Sequence, residues 1–203
     1  ALVVVTGCVM GLVLTMQMNP ILSDFGAQTL LPGVIAVTMV RELGPVITGL
    51  ICAGKISSGI GAEIAAMRVT EQIDAMEVSG TRPLSYVVAS RVMATTIVVP
   101  VLVIFADAFS LLGAFLAVNI FEDTSTTLFM NRAFSMLGFI DLFPATLKTV
   151  LFGFFIGLIG SYKGYTAGRG TESVGLSANS AVVASSLTIF VIDLIFVLIT
   201  SIL

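Results

Sequence analysis

The 203-residue sequence contains no histidine, and this absence removes several kinds of chemistry. A Ser-His-Asp or Cys-His nucleophile system, an HExxH zinc site and a His-ligated haem all need an imidazole. The sequence also lacks a GxSxG-type nucleophile. Its two cysteines, Cys8 and Cys52, lie in apolar runs and are expected to be small buried hydrophobic residues. We therefore expect no catalytic residue, no metal site and no cofactor held by this chain.

Charge is also scarce. Only 10% of the residues are charged and 57% are hydrophobic, whereas a soluble domain carries about 25% charged residues. The net charge of −3 comes without a basic patch, so nucleic acid is not an expected partner. A chain this apolar cannot cover a surface in water. The composition predicts an all-α integral membrane protein.

Apolar runs of the length that a membrane span requires recur along the chain. They predict about five transmembrane helices in a single domain over residues 1–203. The runs are Ala1–Met18, Thr29–Ala53, Tyr86–Val118, Phe139–Tyr162 and Ser180–Leu203. Between them lie polar loops over 119–132 and 163–179, the latter rich in glycine, and a charged stretch over 55–85.

Lysine and arginine in short loops set the orientation of a membrane protein. Most of them lie in the 55–85 stretch and after the fourth run, namely Lys55, Arg68, Arg82, Lys163 and Arg169. The other loops carry few or none. These two basic loops are therefore predicted to face the cytoplasm.

Glycines recur at helical spacing in two of the runs. They are Gly7 and Gly11 in the first run, and Gly153, Gly157, Gly160 and Gly164 in the fourth. Small residues let helix backbones approach closely within a membrane. We expect packing within one subunit, in preference to a dimer face.

The segment Gly49–Lys55 nearly matches a nucleotide-binding P-loop. The motif requires serine or threonine after the lysine to hold Mg²⁺, and that residue is Ile56 here. A P-loop also joins a strand to a helix, whereas this segment ends a membrane helix. If ATP drives the protein, a separate subunit must bind it.

Arg41 and Glu42 lie inside the second apolar run. A charge at membrane depth costs about 2.5–3.5 kcal/mol on insertion scales. Gly44 and Pro45 follow, and proline kinks or breaks a helix. We predict a kink with two open interpretations: a polar cluster beside a substrate cavity or transmission path, or a structural ion pair.

Two further acids, Asp107 and Asp193, lie singly in apolar runs. One isolated carboxylate in a helix is weak evidence for a proton relay. Both are interpreted as structural polar groups, and Lys148 could pair with either.

The segment Gly59–Gly80 has the period of an amphipathic helix. One side collects apolar residues: Ala65, Ala66, Val69, Ile73 and Met76. Another collects acids: Glu63, Glu71, Asp74 and Glu77. Membrane-surface helices usually carry lysine and arginine on their polar face. An acidic face favours docking to a partner protein.

Three segments carry a resemblance to a known family. They are 41–45 (RELGP), 53–55 (AGK) and the long stretch with 62–64 (AEI) and 67–77 (MRVTEQIDAME). Together they resemble the MlaE/YrbE permeases of MCE-type ABC phospholipid transporters, and the match extends over nearly the whole chain. The resemblance implies five transmembrane helices preceded by an interfacial helix. The chain begins without methionine, and we expect it to start inside a longer protein.

The resemblance also implies partners and a cellular location. Such permeases are homodimers in the bacterial inner membrane. Each works with a cytoplasmic ATPase that binds ATP and Mg²⁺, and with an MCE-domain lipid-binding protein on the outer side. Some members add a STAS-domain protein. The family moves phospholipid between the inner membrane and the outer envelope.

Site residues follow from the same resemblance. The coupling helix that seats on the ATPase would contain Glu63, Met67, Arg68, Glu71, Gln72 and Asp74. The lipid cavity at the dimer centre would be lined by Leu14, Gln17, Ile21, Leu22 and Phe25. Arg41 and Glu42 match the polar pair of the family. Apolar side chains suit acyl chains, and Gln17 can contact a polar headgroup.

Two other functions fit a multi-pass protein. An ion-coupled secondary transporter often has interrupted helices in both halves of an inverted repeat. Here only the second run shows such a break. A membrane scaffold without transport is the other alternative, and dimerisation without lipid binding would support it.

Overall fold

The computed structural model describes residues 1–121 and 124–202, and at positions 139–140 it describes only the backbone. The α-helices are α1 Leu2–Asp24, α2 Leu31–Thr38, α3 Gly44–Cys52, α4 Ser58–Val69, α5 Gln72–Val78, α6 Ala89–Phe121, α7 Thr126–Met136, α8 Phe139–Tyr165 and α9 Glu172–Ile202. A 3₁₀ turn covers Gln28–Leu30. Wider π-helical segments cover Met39–Leu43, Ala53–Ser57 and Leu84–Val88.

Five helices within the described residues are long and apolar enough to cross a membrane. We call them spans one to five: Leu2–Asp24, Gln28–Val69, Leu84–Phe121, Asp141–Tyr165 and Glu172–Ile202. The prediction of an all-α membrane protein with about five spans is confirmed. Cys8 and Cys52 are free thiols in spans one and two, the first half-buried and the second buried.

The chain divides into two compact units, each with its own apolar core. The first unit contains 1–48 and 101–147, and the second contains 49–100 and 148–203. In the first core, the Phe129 ring meets Phe115 edge-on with centroids 5.4 Å apart. In the second core, Ile64 and Ile73 are almost completely buried.

The polar stretch 119–132, predicted to be a loop, contains the start of helix α7. Ser125 caps this helix, because its Oγ accepts the Leu128 N–H at 3.3 Å. Phe129 and Ala133, one turn apart, are both buried. Glu122 and Asp123 lie outside the described residues. The glycine-rich loop is likewise shorter than predicted, since span five begins at Glu172.

The prediction of one continuous amphipathic helix over 59–80 is wrong. Span two continues to Val69, the chain turns at Thr70 and Glu71, and α5 follows. Glu71 adopts a left-handed conformation with φ of 58°, which costs a non-glycine residue about 1–2 kcal/mol. The turn folds α5 back, so that Ile73 packs into the second core with Ile64. Burial of Ile73 thus outweighs continuation of the helix. We call residues 70–81 the elbow.

The predicted kink after Arg41 takes the form of the π-helical segment Met39–Leu43. The N–H of Gly44 bonds to the carbonyl of Met39, five residues back. Pro45 has no N–H and cannot bond to the carbonyl of Arg41. The missing bond accounts for the widened turn.

The glycines pack helices within one chain, as predicted. In the first unit, Gly7 and Gly11 of span one face the carbonyls of Ala106 and Ser110 in span three. Gly113 faces the carbonyl of Cys8 in the same way. In the second unit, the fourth-span glycines have similar neighbours: Thr95 for Gly153 and Gly157, Ser57 for Gly160, and Gly61 and Ile64 for Gly164.

Substitution of Gly11 tests this packing. In Gly11→Ala the new Cβ collides with the Ser110 carbonyl oxygen, and we expect a loss of about 1–3 kcal/mol in the free energy of unfolding. Gly59→Ala is the control, because a Cβ there meets nothing within 4 Å and helix propensity favours alanine by about 0.5–1 kcal/mol. Unfolding in mixed detergent measures both. Equal stability of the two variants would contradict the contact.

Candidate functional site

Arg41 joins two carboxylates in the first unit. Its Nη1 lies 3.4 Å from Oδ1 of Asp141, and its Nε lies 3.7 Å from Oε1 of Glu42. The other oxygen of Asp141 accepts the Gly138 N–H at 3.0 Å, which fixes the carboxylate at the start of span four. The predicted pair is therefore a group of three charges that connects span two to span four.

Lys148 and Asp193 form a second ion pair, in the second unit. Lys148 Nζ lies 2.8 Å from Asp193 Oδ1, and the exposed fractions of the two side chains are 3% and 19%. Asp193, one of the two partners that the sequence allowed for Lys148, is in contact with it. Asp107 lies in the first unit, with its carboxylate against Gly44. The lysine–aspartate pair ties span four to span five inside an apolar environment.

The five residues assigned to the lipid cavity do not share one surface in the single chain. Leu14 and Leu22 are partly buried against the core of the first unit. Gln17, Ile21 and Phe25 are exposed, and the exposed fractions of the last two are 49% and 80%. The exposed face near the end of span one thus combines the apolar Ile21 and Phe25 with two polar side chains, Gln17 and Asp24. Leu14 and Leu22 support this face from behind.

The acids on the predicted coupling segment are partly paired with cations of the same chain. Glu63 Oε1 lies 2.6 Å from Arg91 Nη2, and Asp74 Oδ2 lies 3.4 Å from Arg169 Nη2. These contacts connect α4 to span three, and α5 to the loop before span five. The sequence pattern placed the acids on one face but did not reveal their partners.

Tyr165, the last residue of span four, contacts one residue just before the elbow and one within it. Arg68 donates a hydrogen bond to the Tyr165 carbonyl at 2.5 Å, and its guanidinium lies 5.7 Å from the centre of the tyrosine ring. The Tyr165 hydroxyl donates to Glu77 Oε1 at 3.2 Å. Sequence reasoning missed Tyr165, because its partners lie 97 and 88 residues away.

The turn itself carries an exposed acid that forms no ion pair within the described residues. Glu71 and Gln72 are exposed, and Glu71 makes no ion pair with any residue in 1–121 or 124–202. Met67 is partly buried against the second core. The coupling residues therefore divide into those with contacts in this chain (Glu63, Met67, Arg68 and Asp74), of which Glu63 and Asp74 stay exposed, and the exposed turn residues Glu71 and Gln72.

Known proteins match this chain over nearly its whole length. The family model for the permease MlaE matches residues 1–199. A probable ABC transporter permease protein of Rickettsia prowazekii is 41% identical over 182 residues, which cover 89% of this chain and 70% of that protein. Probable ABC transporter permease proteins of Synechocystis and of Pyropia yezoensis are each 34% identical. Both matches cover 94% of this chain, and they cover 73% and 72% of those proteins.

Proposed function

This chain belongs to the MlaE permease family, and we propose that it forms the membrane path through which a bacterial ABC transporter moves phospholipids between the inner membrane and the outer envelope. The observation that carries the proposal is the family match over residues 1–199, together with relatives named as ABC transporter permeases. The five apolar spans agree with a multi-pass subunit. An ABC permease implies a separate ATPase, which would hold ATP and Mg²⁺.

A homodimer would enclose the cargo path. The exposed face of span one, with Ile21 and Phe25, would line it when a second copy covers that face. These apolar side chains would contact acyl chains, and the Gln17 amide, one turn from Ile21, can hydrogen-bond to a headgroup or the glycerol region. An MCE-domain protein on the outer side would exchange lipid with this path.

The elbow would receive the motion of the ATPase. Glu71 and Gln72 are the exposed residues for docking. Arg68 and Glu77 both bond to Tyr165, so that displacement of the elbow would act on the end of span four. A STAS-domain protein bound to the ATPase, as in some relatives, would act through the same contact.

Purification of the full-length protein in mild detergent tests the whole proposal. Mass spectrometry of bound proteins and lipids should find a P-loop ATPase, an MCE-domain protein and phospholipid. Recovery of the permease without ATPase and lipid would instead favour the secondary transporter or the scaffold.

Ile21→Glu tests the cargo path separately. A carboxylate against acyl chains costs a few kcal/mol, and we expect crosslinking of a photoreactive phospholipid to fall about tenfold or more. Ile120→Glu is the matched control, because Ile120 is also exposed, at 63%, near the outer-facing end of span three. Equal crosslinking of the two variants would exclude span one from the path.

A further inference from the structure

A groove of about 490 Å³ lies beside the elbow in the second unit. It is open on one side and is of the size that small-molecule sites have. Its walls include Glu77 of α5, Thr81 and Arg82 of the following turn, Leu84 and Ser85 at the start of span three, and Tyr165 at the end of span four. Glu77 is the one acid of the predicted docking face that lines it, and none of the residues of the predicted lipid cavity does.

The groove lies where membrane spans end. Leu84 is the first residue of span three and Tyr165 the last of span four. Nearby, Tyr86 and Tyr162 expose 70% and 62% of their surface. Exposed tyrosines at the ends of spans mark the level of lipid headgroups. Loop charges predict that this end faces the cytoplasm. The groove therefore opens at the headgroup level of the cytoplasmic leaflet.

The groove carries one positive and one negative side chain that do not neutralise each other. Arg82 forms no ion pair within the described part of the chain, although Glu77 lines the same groove. Glu77 is held by the Tyr165 hydroxyl on Oε1. Separated charges of opposite sign, with two hydroxyl groups from Thr81 and Ser85, fit a small zwitterion that bears a phosphate and an amine.

We propose that this groove binds the phosphoethanolamine headgroup of a phospholipid in the adjacent leaflet. Arg82 contacts the phosphate, for which a guanidinium fork is well matched, and Glu77 accepts hydrogen bonds from the ammonium. Leu84, 58% exposed, packs against the glycerol and the first acyl carbons. The site is distinct from the cargo path, and it anchors the elbow to the bilayer.

Native mass spectrometry of the full chain in mild detergent provides the test. Phosphatidylethanolamine, phosphatidylcholine and phosphatidylglycerol are added separately at equal mole fraction. The choline headgroup has no N–H to donate to Glu77. We expect phosphatidylethanolamine to be retained about threefold better than the other two, the effect of one partly exposed charged contact.

Variants of Arg82 and Glu77 distinguish the proposed phosphate contact from the proposed ammonium contact. Arg82→Gln should lower retention of all three lipids, whereas Glu77→Gln should lower only phosphatidylethanolamine, to the level of phosphatidylcholine. Glu172→Gln is the control, because Glu172 is exposed at the same end but does not line the groove. Ile21→Glu, which is expected to weaken lipid binding in the cargo path, should leave unchanged the loss of phosphatidylethanolamine retention that Glu77→Gln causes. An unchanged elution volume in gel filtration confirms that each variant is folded.

Three results would overturn the proposal. One is unchanged lipid retention in both groove variants. Another is displacement of the lipid by excess inorganic phosphate alone, which would assign the groove to a free anion. The last is loss of ATPase binding in Arg82→Gln with lipid retention intact, which would make the groove part of a protein interface.

Discussion

Lys148→Met is expected to lower the free energy of unfolding of the chain by about 3–5 kcal/mol, the usual cost of breaking a buried ion pair from one side. Lys148 is almost completely buried, and its Nζ lies 2.8 Å from the Asp193 carboxylate. Methionine keeps the length of the side chain but removes the charge. Asp193 is then left in an apolar environment without its cation, because its own exposed fraction is only 19%.

The double variant Lys148→Met with Asp193→Leu is the control. It removes both charges, and replacement of a buried pair by apolar residues is often neutral or stabilising. We therefore expect most of the lost stability to return. Unfolding in mixed detergent, monitored by circular dichroism, is measured for the wild type, for Lys148→Met, for Asp193→Leu and for the double variant. The loss in the double variant minus the sum of the two single losses gives the coupling between the two residues. If Lys148→Met were as stable as the wild type, the ion pair would not support the helix bundle.

Glu71→Lys is expected to reduce recovery of the ATPase with the permease by about tenfold or more, since like charges brought together in an interface cost several kcal/mol. Glu71 is exposed at the turn of the elbow and has no ion-pair partner within the described residues. Its reversal changes the proposed docking surface and leaves the internal contacts intact. Asp74 is less suitable for this test, because its reversal also breaks the pair with Arg169.

Two further variants separate charge from conformation at the same turn. Glu71→Gly removes the carboxylate and relieves the left-handed backbone at φ of 58°. It should be at least as stable as the wild type, because glycine adopts this conformation without steric cost. Glu172→Lys reverses an exposed acid away from the elbow and should retain the ATPase. Undiminished ATPase recovery with Glu71→Lys would refute docking at the elbow.

The sequence predicted the features that depend on local order. Long apolar runs located the five spans, and Gly44-Pro45 located the distortion beside Arg41, because a missing N–H acts within one turn. The spacing of Gly7 and Gly11 likewise predicted a close helix contact inside the subunit. Helix α7 and its Ser125 cap were not predicted, because the polarity of the stretch favoured a loop.

Features that depend on contacts between residues far apart in the sequence could not be predicted from it. Helical periodicity runs through Glu71 without a break, and only the burial of Ile73 against Ile64 explains the turn. Asp141 lies 100 residues from Arg41, so their contact could not be read from spacing. The lipid and ATPase assignments come from the resemblance. The structure adds which of those residues are exposed, such as Ile21, and which are supports, such as Leu14.

The glycine contacts of the first unit limit the ways in which a transport cycle can deform it. A carbonyl oxygen occupies the space beside Gly7, Gly11 and Gly113, where any other residue has a Cβ. Sliding span one along span three by a single residue, about 1.5 Å, would drive a neighbouring side chain into one of these oxygens. These contacts therefore fix the register of the two helix segments, which move together as one rigid body. Within this unit, bending is easier where the hydrogen-bond ladder is already interrupted, as at Met39–Leu43 and at the helix-internal prolines Pro20 and Pro144.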